Sequence, residues 1–376
     1  LQDWHPVKEH VLITQRPQGG QVAQLHLVDK PKGMPKQLTR GTEPVREAKF
    51  QPVDGRSVIF MRDEGGSERY QIFHLDLASG KTTRITDGKN RHTGARWSPN
   101  GRRVAYFSPK RNGRDNDLYV ADPTQPGSEK LLAKLSGGGW WISDWAANPD
   151  IMMLVEYLSI NHSRLHIMDA KTGTLSQFSP KLNTPVSYRN ARFAPAMRAV
   201  FYTCDADADF QHIVRFDFQT GDRQRLLGDV KWDVEAFELA PNGRTIAVVH
   251  NTGGYSQLRL INSADGKTLP ASTFIPSNRI GVIRSLQWHR KNDGLIYDYE
   301  WALSPGLIRS IRIGAKEPTN WAASDTGKLD LDHIAIPRLL TLRSVDGVQF
   351  DSVVYIAGKT VNGTFRPKFT SRPRPV

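Results

Sequence analysis

The sequence predicts an all-β fold, a seven-bladed β-propeller of four-stranded blades. Three observations predict it: a motif that recurs about every 47 residues, strand-sized apolar runs between turn signals, and a lack of long 3.6-periodic stretches. The clearest copies of the motif are Phe50-Gln51-Pro52-Val53-Asp54-Gly55-Arg56, Trp97-Ser98-Pro99-Asn100-Gly101-Arg102 and Leu239-Ala240-Pro241-Asn242-Gly243-Arg244. Weaker copies occur at Phe193-Ala194-Pro195, at Trp145 with Pro149 displaced, at Trp288 through Asn292 and Asp293 without the proline, and at Trp4-His5-Pro6. The bulky apolar residue serves as anchor, at positions 4, 50, 97, 145, 193, 239 and 288, with successive spacings of 46, 47, 48, 48, 46 and 49. Seven anchors imply seven blades.

Each element of the unit has a physical task. The anchor ends an inner strand and buries against a neighbouring blade, while Pro and Asn-Gly or Asp-Gly supply the fixed and the positive φ of a tight reversal. Val104-Ala105-Tyr106-Phe107 and Thr245-Ile246-Ala247-Val248-Val249 then read as strands buried on both faces. A second hairpin follows, as in Ile72 to Leu77, Ser79-Gly80-Lys81 and Thr82 to Thr86; its half-copies are Leu118 to Asp122, His166 to Asp169 before Thr172-Gly173, and Val214 to Asp217 before Thr220-Gly221.

Composition agrees with a folded chain. Of 376 residues 38% are hydrophobic, with nine Trp and fifteen Phe, enough apolar material for a large core. No run approaches the eighteen or so apolar residues of a membrane-spanning helix; 151–155 is strand-sized. The chain starts at Leu1 with no charged and apolar leader pattern, so an export signal is expected to have been removed or never present. Cys204 is the only cysteine, which excludes an internal disulfide and leaves cytoplasm and bacterial periplasm equally open. The net charge of +13 is scattered through turns at Lys81, Arg84, Arg102, Arg103 and Arg244, with one dense stretch at Arg366, Lys368, Arg372 and Arg374. That pattern reads as a solvated basic surface, and no nucleic-acid or membrane partner is expected.

The anchor, the Pro-Asp/Asn-Gly turn, the apolar strand and the strand ending in Asp before a Gly turn together resemble two propellers. One is that of the prolyl-oligopeptidase family of serine peptidases, of the acylaminoacyl-peptidase and dipeptidyl-peptidase type. The other is the periplasmic propeller of the Tol system. The resemblance covers residues 4–325 or so. After the seventh unit, Ile336-Pro337 through Ser344-Val345-Asp346-Gly347 to Tyr355-Ile356, then Arg366-Pro367-Lys368, is similar to the segment with which the hydrolase domain of those peptidases opens. The resemblance implies a propeller at 1–328 and, at 329–376, a linker and the first strands of a truncated α/β-hydrolase domain. It also implies that the ring gates short peptide substrates on their way to that domain, its partner. In the Tol-type alternative the ring is a binding module without chemistry.

No residue is assigned to catalysis, cofactor binding or metal ligation. A hydrolase nucleophile needs a Gly-x-Ser-x-Gly elbow, and Gly65-Gly66-Ser67 and Gly253-Gly254-Tyr255-Ser256 lack its spacing. His162 and His166 would share a helix face but lie in a strand pattern, and Asp205, Asp207 and Asp209 lack the rest of a calcium loop. Gly137-Gly138-Gly139-Trp140-Trp141 reads as core packing beside a loop.

Overall fold

All seven anchors occupy one structural position. In the computed structural model, which describes residues 1–269, 280–291 and 294–355, each is the last residue of the first strand of its own antiparallel sheet. The sheets span 3–37, 45–84, 93–133, 140–177, 188–226, 234–262 and 281–323, and their strands pair in sequence order. Six have four strands; in the sixth blade three are paired among the described residues, and Thr268 bridges Ile261 where the other blades begin their fourth. First strands of successive blades lie side by side, so the sheets radiate from a common axis. Among the described residues helix is confined to short turns at Pro195–Met197 and Leu331–His333.

The core is distributed over seven apolar junctions between blades. Strand alternation explains why. In Ser57–Arg62, Val58 and Phe60 pack with Leu12 and Leu25 of blade 1, whereas Ile59 and Met61 pack with Trp97 and Tyr106 of blade 3. Both faces are buried, so the middle strands read as continuous apolar runs. Filling one such position with Phe or Ile contributes about 1.5–3 kcal/mol.

The turns hold successive blades together. Gly101 has φ 67°, and a Cβ there would lie 2.0 Å from Gln51 Nε2 of the preceding blade. Gln51 is pinned, because its Oε1 accepts the N–H groups of Val53 and Asp54 at 2.8 and 2.9 Å. Gly55 packs against the His5 ring in the same way. Farther out, the Asp ending the third strand caps the next turn: Asp76 Oδ1 accepts from Ser79, Asp169 Oδ1 from Lys171 and Thr172, and Asp217 Oδ1 from Gln219. Those bonds hold the three carboxyls below the usual range.

Blades 1 and 7 share no strand, so side chains close the ring. Trp4, Val11, Ile13 and Val28 meet Ile296, Ile308 and Trp321, with the Trp4 and Trp321 rings edge-on at 5.9 Å. Beside this seam His5 is buried, its Nδ1 accepting from the Val7 and Lys8 amides at 3.1 and 3.0 Å, and His289 lies 4.9 Å from Trp4. Burial, then the neighbouring His10 and Lys8, push the His5 imidazole down to about 4.

Beyond the ring, Arg338–Arg343 and Gln349–Val354 form a separate two-stranded hairpin. Asp346-Gly347 stands in its turn, as expected, with Gly347 at φ 86°. The second strand starts earlier than the expected 353–356, because Gln349 through Ser352 find partners in the first; Ile356 and the basic cluster from Arg366 onward lie outside the described residues. Leu340, Leu342 and Phe350 are exposed, while Asp351 and Val353 rest against Gly253 and Gly254 of blade 6.

Two outcomes follow from this packing. Gly80 has φ 71° and open space around it, so Gly80→Ala should cost about 1 kcal/mol from the left-handed conformation alone; Gly101→Ala, which must also displace Gln51, should cost about 2–3 kcal/mol, both read from urea midpoints. Because His5 is held neutral in the fold, an unfolded chain takes up its proton first as pH drops below about 6.5. The His5 contribution to stability should therefore fall by about 2–3 kcal/mol between about pH 6.5 and 4 and level off below, and His5→Gln should reduce the slope by that share, the other buried histidines keeping the rest.

Candidate functional site

The inner edge of each sheet faces the axis with no further strand to pair it. The residues immediately before the anchors meet this need: Asp3, Lys49, Arg96, Asp144, Arg192, Glu238 and Gln287. The anchor turns into one junction, and the side chain before it reaches across to the first strand of a neighbouring blade. Acceptors meet N–H groups: Asp3 Oδ2 accepts from Phe50 N at 2.8 Å, Asp144 Oδ2 from Phe193 N at 2.8 Å, and Gln287 Oε1 from Trp4 N at 3.2 Å across the seam. Donors meet carbonyls: Arg96 Nη1 donates to Ile142 O and Ser143 O at 2.8 and 2.9 Å, and Arg192 Nη1 donates to Ser143 O at 2.7 Å. Further links run from Lys49 Nζ to Gln2 O, and from the indole N–H groups of Trp97 to Lys49 O and of Trp288 to Glu238 O.

Charges within the ring are balanced, with three cations against three anions. Arg192 grips Glu238 with two bonds, at 3.1 and 2.5 Å, and Arg96 lies 3.8 Å from Asp144. Burial pushes the Asp144 carboxyl up against the pull of Arg192 and Arg96. Burial also opposes the Arg192 charge, but Glu238 outweighs it and holds the guanidinium more firmly protonated. In blades 2 to 7 a register shift interrupts the pairing of the first strand shortly before its anchor, and such bulges re-aim side chains. At the equivalent place Gly94 has φ 65° and Glu47 φ 49°, an unfavourable conformation for a residue with a Cβ.

At the axis lies a cavity of about 350 Å³, bordered by Gln2, Glu47, Lys49, Ser285 and Gln287. Ser285 Oγ is buried there without a protein partner. The lining offers charges of both signs and amide groups, which suits a polar chain or chain end, and no histidine stands beside the serine to activate it.

The residues singled out by sequence lie elsewhere and apart. His166 Nε2 is bonded to Glu156 at 2.9 Å, and His162, four positions away on an extended strand, cannot share a ligand with it. Among the described residues no group of three or more His, Cys, Asp or Glu could hold a metal. Trp140 is buried in the blade 3–4 junction, as expected, whereas Trp141 points the other way and is partly exposed; Gly139 is required because a Cβ would meet Tyr157 O at 2.5 Å. Asp205 caps the Ser187 amide, and Ser67 bonds to Asp63 within its own turn. Cys204 is buried beside Tyr188 and Tyr202, and burial pushes its thiol up to about 11, away from nucleophilic use. The sequence reading missed the polar ring, although the signal was present: aligned on the anchors, the preceding column contains no apolar residue.

Two kinds of known protein share this arrangement. No known family profile matches the chain. By sequence it is similar to the Tol-Pal system protein TolB of Francisella tularensis strains, 24% identical over 242 residues, covering 64% of this chain and 53% of that protein. The chain thus spans about half the length of the curated relatives it matches. By structure it superposes on a prolyl endopeptidase with a TM-score of 0.73 at 12% identity, covering 91% of this chain and 52% of the other. Prolyl oligopeptidase B from Galerina marginata, bound to a 25mer macrocyclization substrate, gives a TM-score of 0.69 at 12% identity, covering 88% and 51%. The chain is a seven-bladed propeller resembling the N-terminal region of prolyl oligopeptidases, and TolB.

If the ring side chains fasten the inner edges, Arg192→Met should destabilise by about 1–3 kcal/mol, because Glu238 loses its partner and the Ser143 carbonyl a donor. Glu238→Gln in the same background should restore part of that loss in urea denaturation.

Proposed function

We propose that residues 1–328 form the non-catalytic propeller of a serine-type peptidase hydrolysing short peptides, and that 329–376 are the linker and opening strands of its α/β-hydrolase domain. One observation carries the reading. The chain leaves blade 7 and builds a hairpin that belongs to no blade, with Leu340, Leu342 and Phe350 uncovered. An isolated two-stranded hairpin is marginal in water, so its apolar side chains call for a further body. The likeness to prolyl oligopeptidases, of which this chain spans about half, supports a hydrolase domain as that body.

In this role the ring narrows access to the nucleophile. A central passage lined by side chains admits an extended peptide and excludes a folded domain. The Ser nucleophile and its His base would be carried by the hydrolase domain. The sequence relatives favour a second reading, a binding propeller of Tol type whose faces recruit a protein and perform no chemistry.

The complete gene product containing this sequence should be labelled by a fluorophosphonate at one serine and should cleave short peptides but not folded proteins. The 376-residue chain alone should be neither labelled nor active. Absence of labelling in the complete product would leave the binding module as the function. Amide exchange should be fast throughout Arg338–Arg343 and Gln349–Val354 and slow in the blades; equal protection would make the hairpin part of the ring and count against the peptidase reading.

A further inference from the structure

The turns that join the first and second strands are the innermost features of the face on which the anchors end. They also touch in succession: Gly55 of the second blade lies on His5 of the first, Gly101 of the third on Gln51 of the second, and Gly243 of the sixth on Pro195 of the fifth. Whatever these turns expose is therefore gathered around one mouth of the axial passage. What they expose is positive. Lys8, Arg56, Arg102, Arg103, Arg198, Arg244, Arg290 and Lys291 come from six of the seven blades, and all but the half-buried Arg103 are exposed.

The described acids on these turns are already engaged. Glu9 pairs with Arg312, Asp54 with Arg56, and Asp150 with Lys171. Of the eight cations only Arg56 has an acidic partner among the described residues. The field reaches inward, since the charge of Arg290 bears on Arg96 in the channel ring. The balanced ring within the passage does not neutralise this collar, so the mouth attracts anions.

We infer that this collar docks an acidic polypeptide segment. Five of the seven cations without an acidic partner among the described residues are arginines, whose planar guanidinium groups match carboxylates in pairs. Val7 and Val53 stand exposed between Lys8 and Arg56, giving apolar contact points that suit a peptide with mixed acidic and apolar side chains. Nucleic acid is a poorer fit, because short turns in a closed ring offer neither an extended basic stripe nor exposed aromatic side chains for stacking. An anionic lipid surface fits less well too, since two valines bury too little to anchor the ring. The C-terminal hairpin rests on Gly253 and Gly254, between the second and third strands of blade 6 and hence on the opposite face, and leaves the collar open. The inference goes beyond the peptidase reading and holds for either role.

The test compares Arg102→Ser/Arg198→Ser/Arg244→Ser with a rim control, Lys36→Ser/Lys130→Ser/Arg225→Ser, after both are shown to keep the parent urea midpoint. Binding of a fluorescein-labelled oligoglutamate peptide is read by anisotropy across a salt series. The collar triple should weaken binding about tenfold or more and reduce the salt slope, while the control stays near the parent value. Equal losses in the two triples, or no binding by the parent, would overturn the inference. So would a single-stranded oligonucleotide or phosphatidylserine vesicles that lose more affinity than the peptide in the collar triple.

Discussion

A propeller brings seven sheet edges to one axis, and the unpaired backbone groups of those edges must be satisfied there. This constraint governs the rest of the structure. In this chain the residue before each anchor answers it. Carboxylate or amide oxygens stand where the next blade offers N–H groups, and guanidinium and indole N–H groups meet carbonyls of the next or the preceding blade. At Asp3, Arg96, Asp144 and Arg192 the charge is matched to the backbone group it meets, while Glu238 pairs with the Arg192 guanidinium. Since both ends of the exchange are partly shielded from water, a mismatch would leave a polar group buried and unsatisfied.

The outer edges have the opposite problem, and the sequence handles it with charge. The fourth strands carry Lys36, Arg84, Lys130, Arg223 and Arg225 exposed at the rim, where they oppose edge-to-edge pairing with another molecule. Part of the +13 surplus is thus a defence of the fold and needs no ligand. The collar differs because its cations sit on turns that have no free edge to protect. Between rim and axis, each blade packs through apolar junctions on both sides, so adjacent blades stabilise one another and the seam between first and last depends wholly on side chains.

The fold was legible in the sequence because its repeat is enforced by two requirements that few residues satisfy. Only glycine tolerates both the positive φ and the close approach at Gly55 and Gly101, and only a bulky apolar residue fills the junction beside it. Blade 4 obscured its copy by displacing the proline, and there the Trp145 indole compensates by bonding to Pro149 O within its own turn. The polar ring was harder to read, since acceptors and donors of either charge do the same work at one position and no residue type recurs. Individual motifs misled for a related reason. His162 with His166, and the alternating aspartates, are spaced for helix or loop chemistry, whereas the blade strands and turns separate them or use them as local caps.

The two faces of the ring are built for different contacts. On the face opposite the collar, the second and third strands that form its hairpins vary in length, from the second strand Ser57–Arg62 in blade 2 to the second strand Ile151–Ser159 in blade 4 and the third strand Ser304–Arg312 in blade 7. The longest present apolar tips, with Tyr157, Leu158 and Ile160 exposed, and the C-terminal hairpin adds Leu340, Leu342 and Phe350 to that side. Such side chains gain free energy only when a large body covers them, so this face suits a permanent neighbour of domain size. The anchor face has short turns and unneutralised cations, whose attraction is long-ranged, screened by salt and reversible. Under the proposals above, with a lasting contact on one side and a transient electrostatic one on the other, the axial passage would be the route between them. Glu47 and Lys49, set by a bulge, place charges of both signs along that passage.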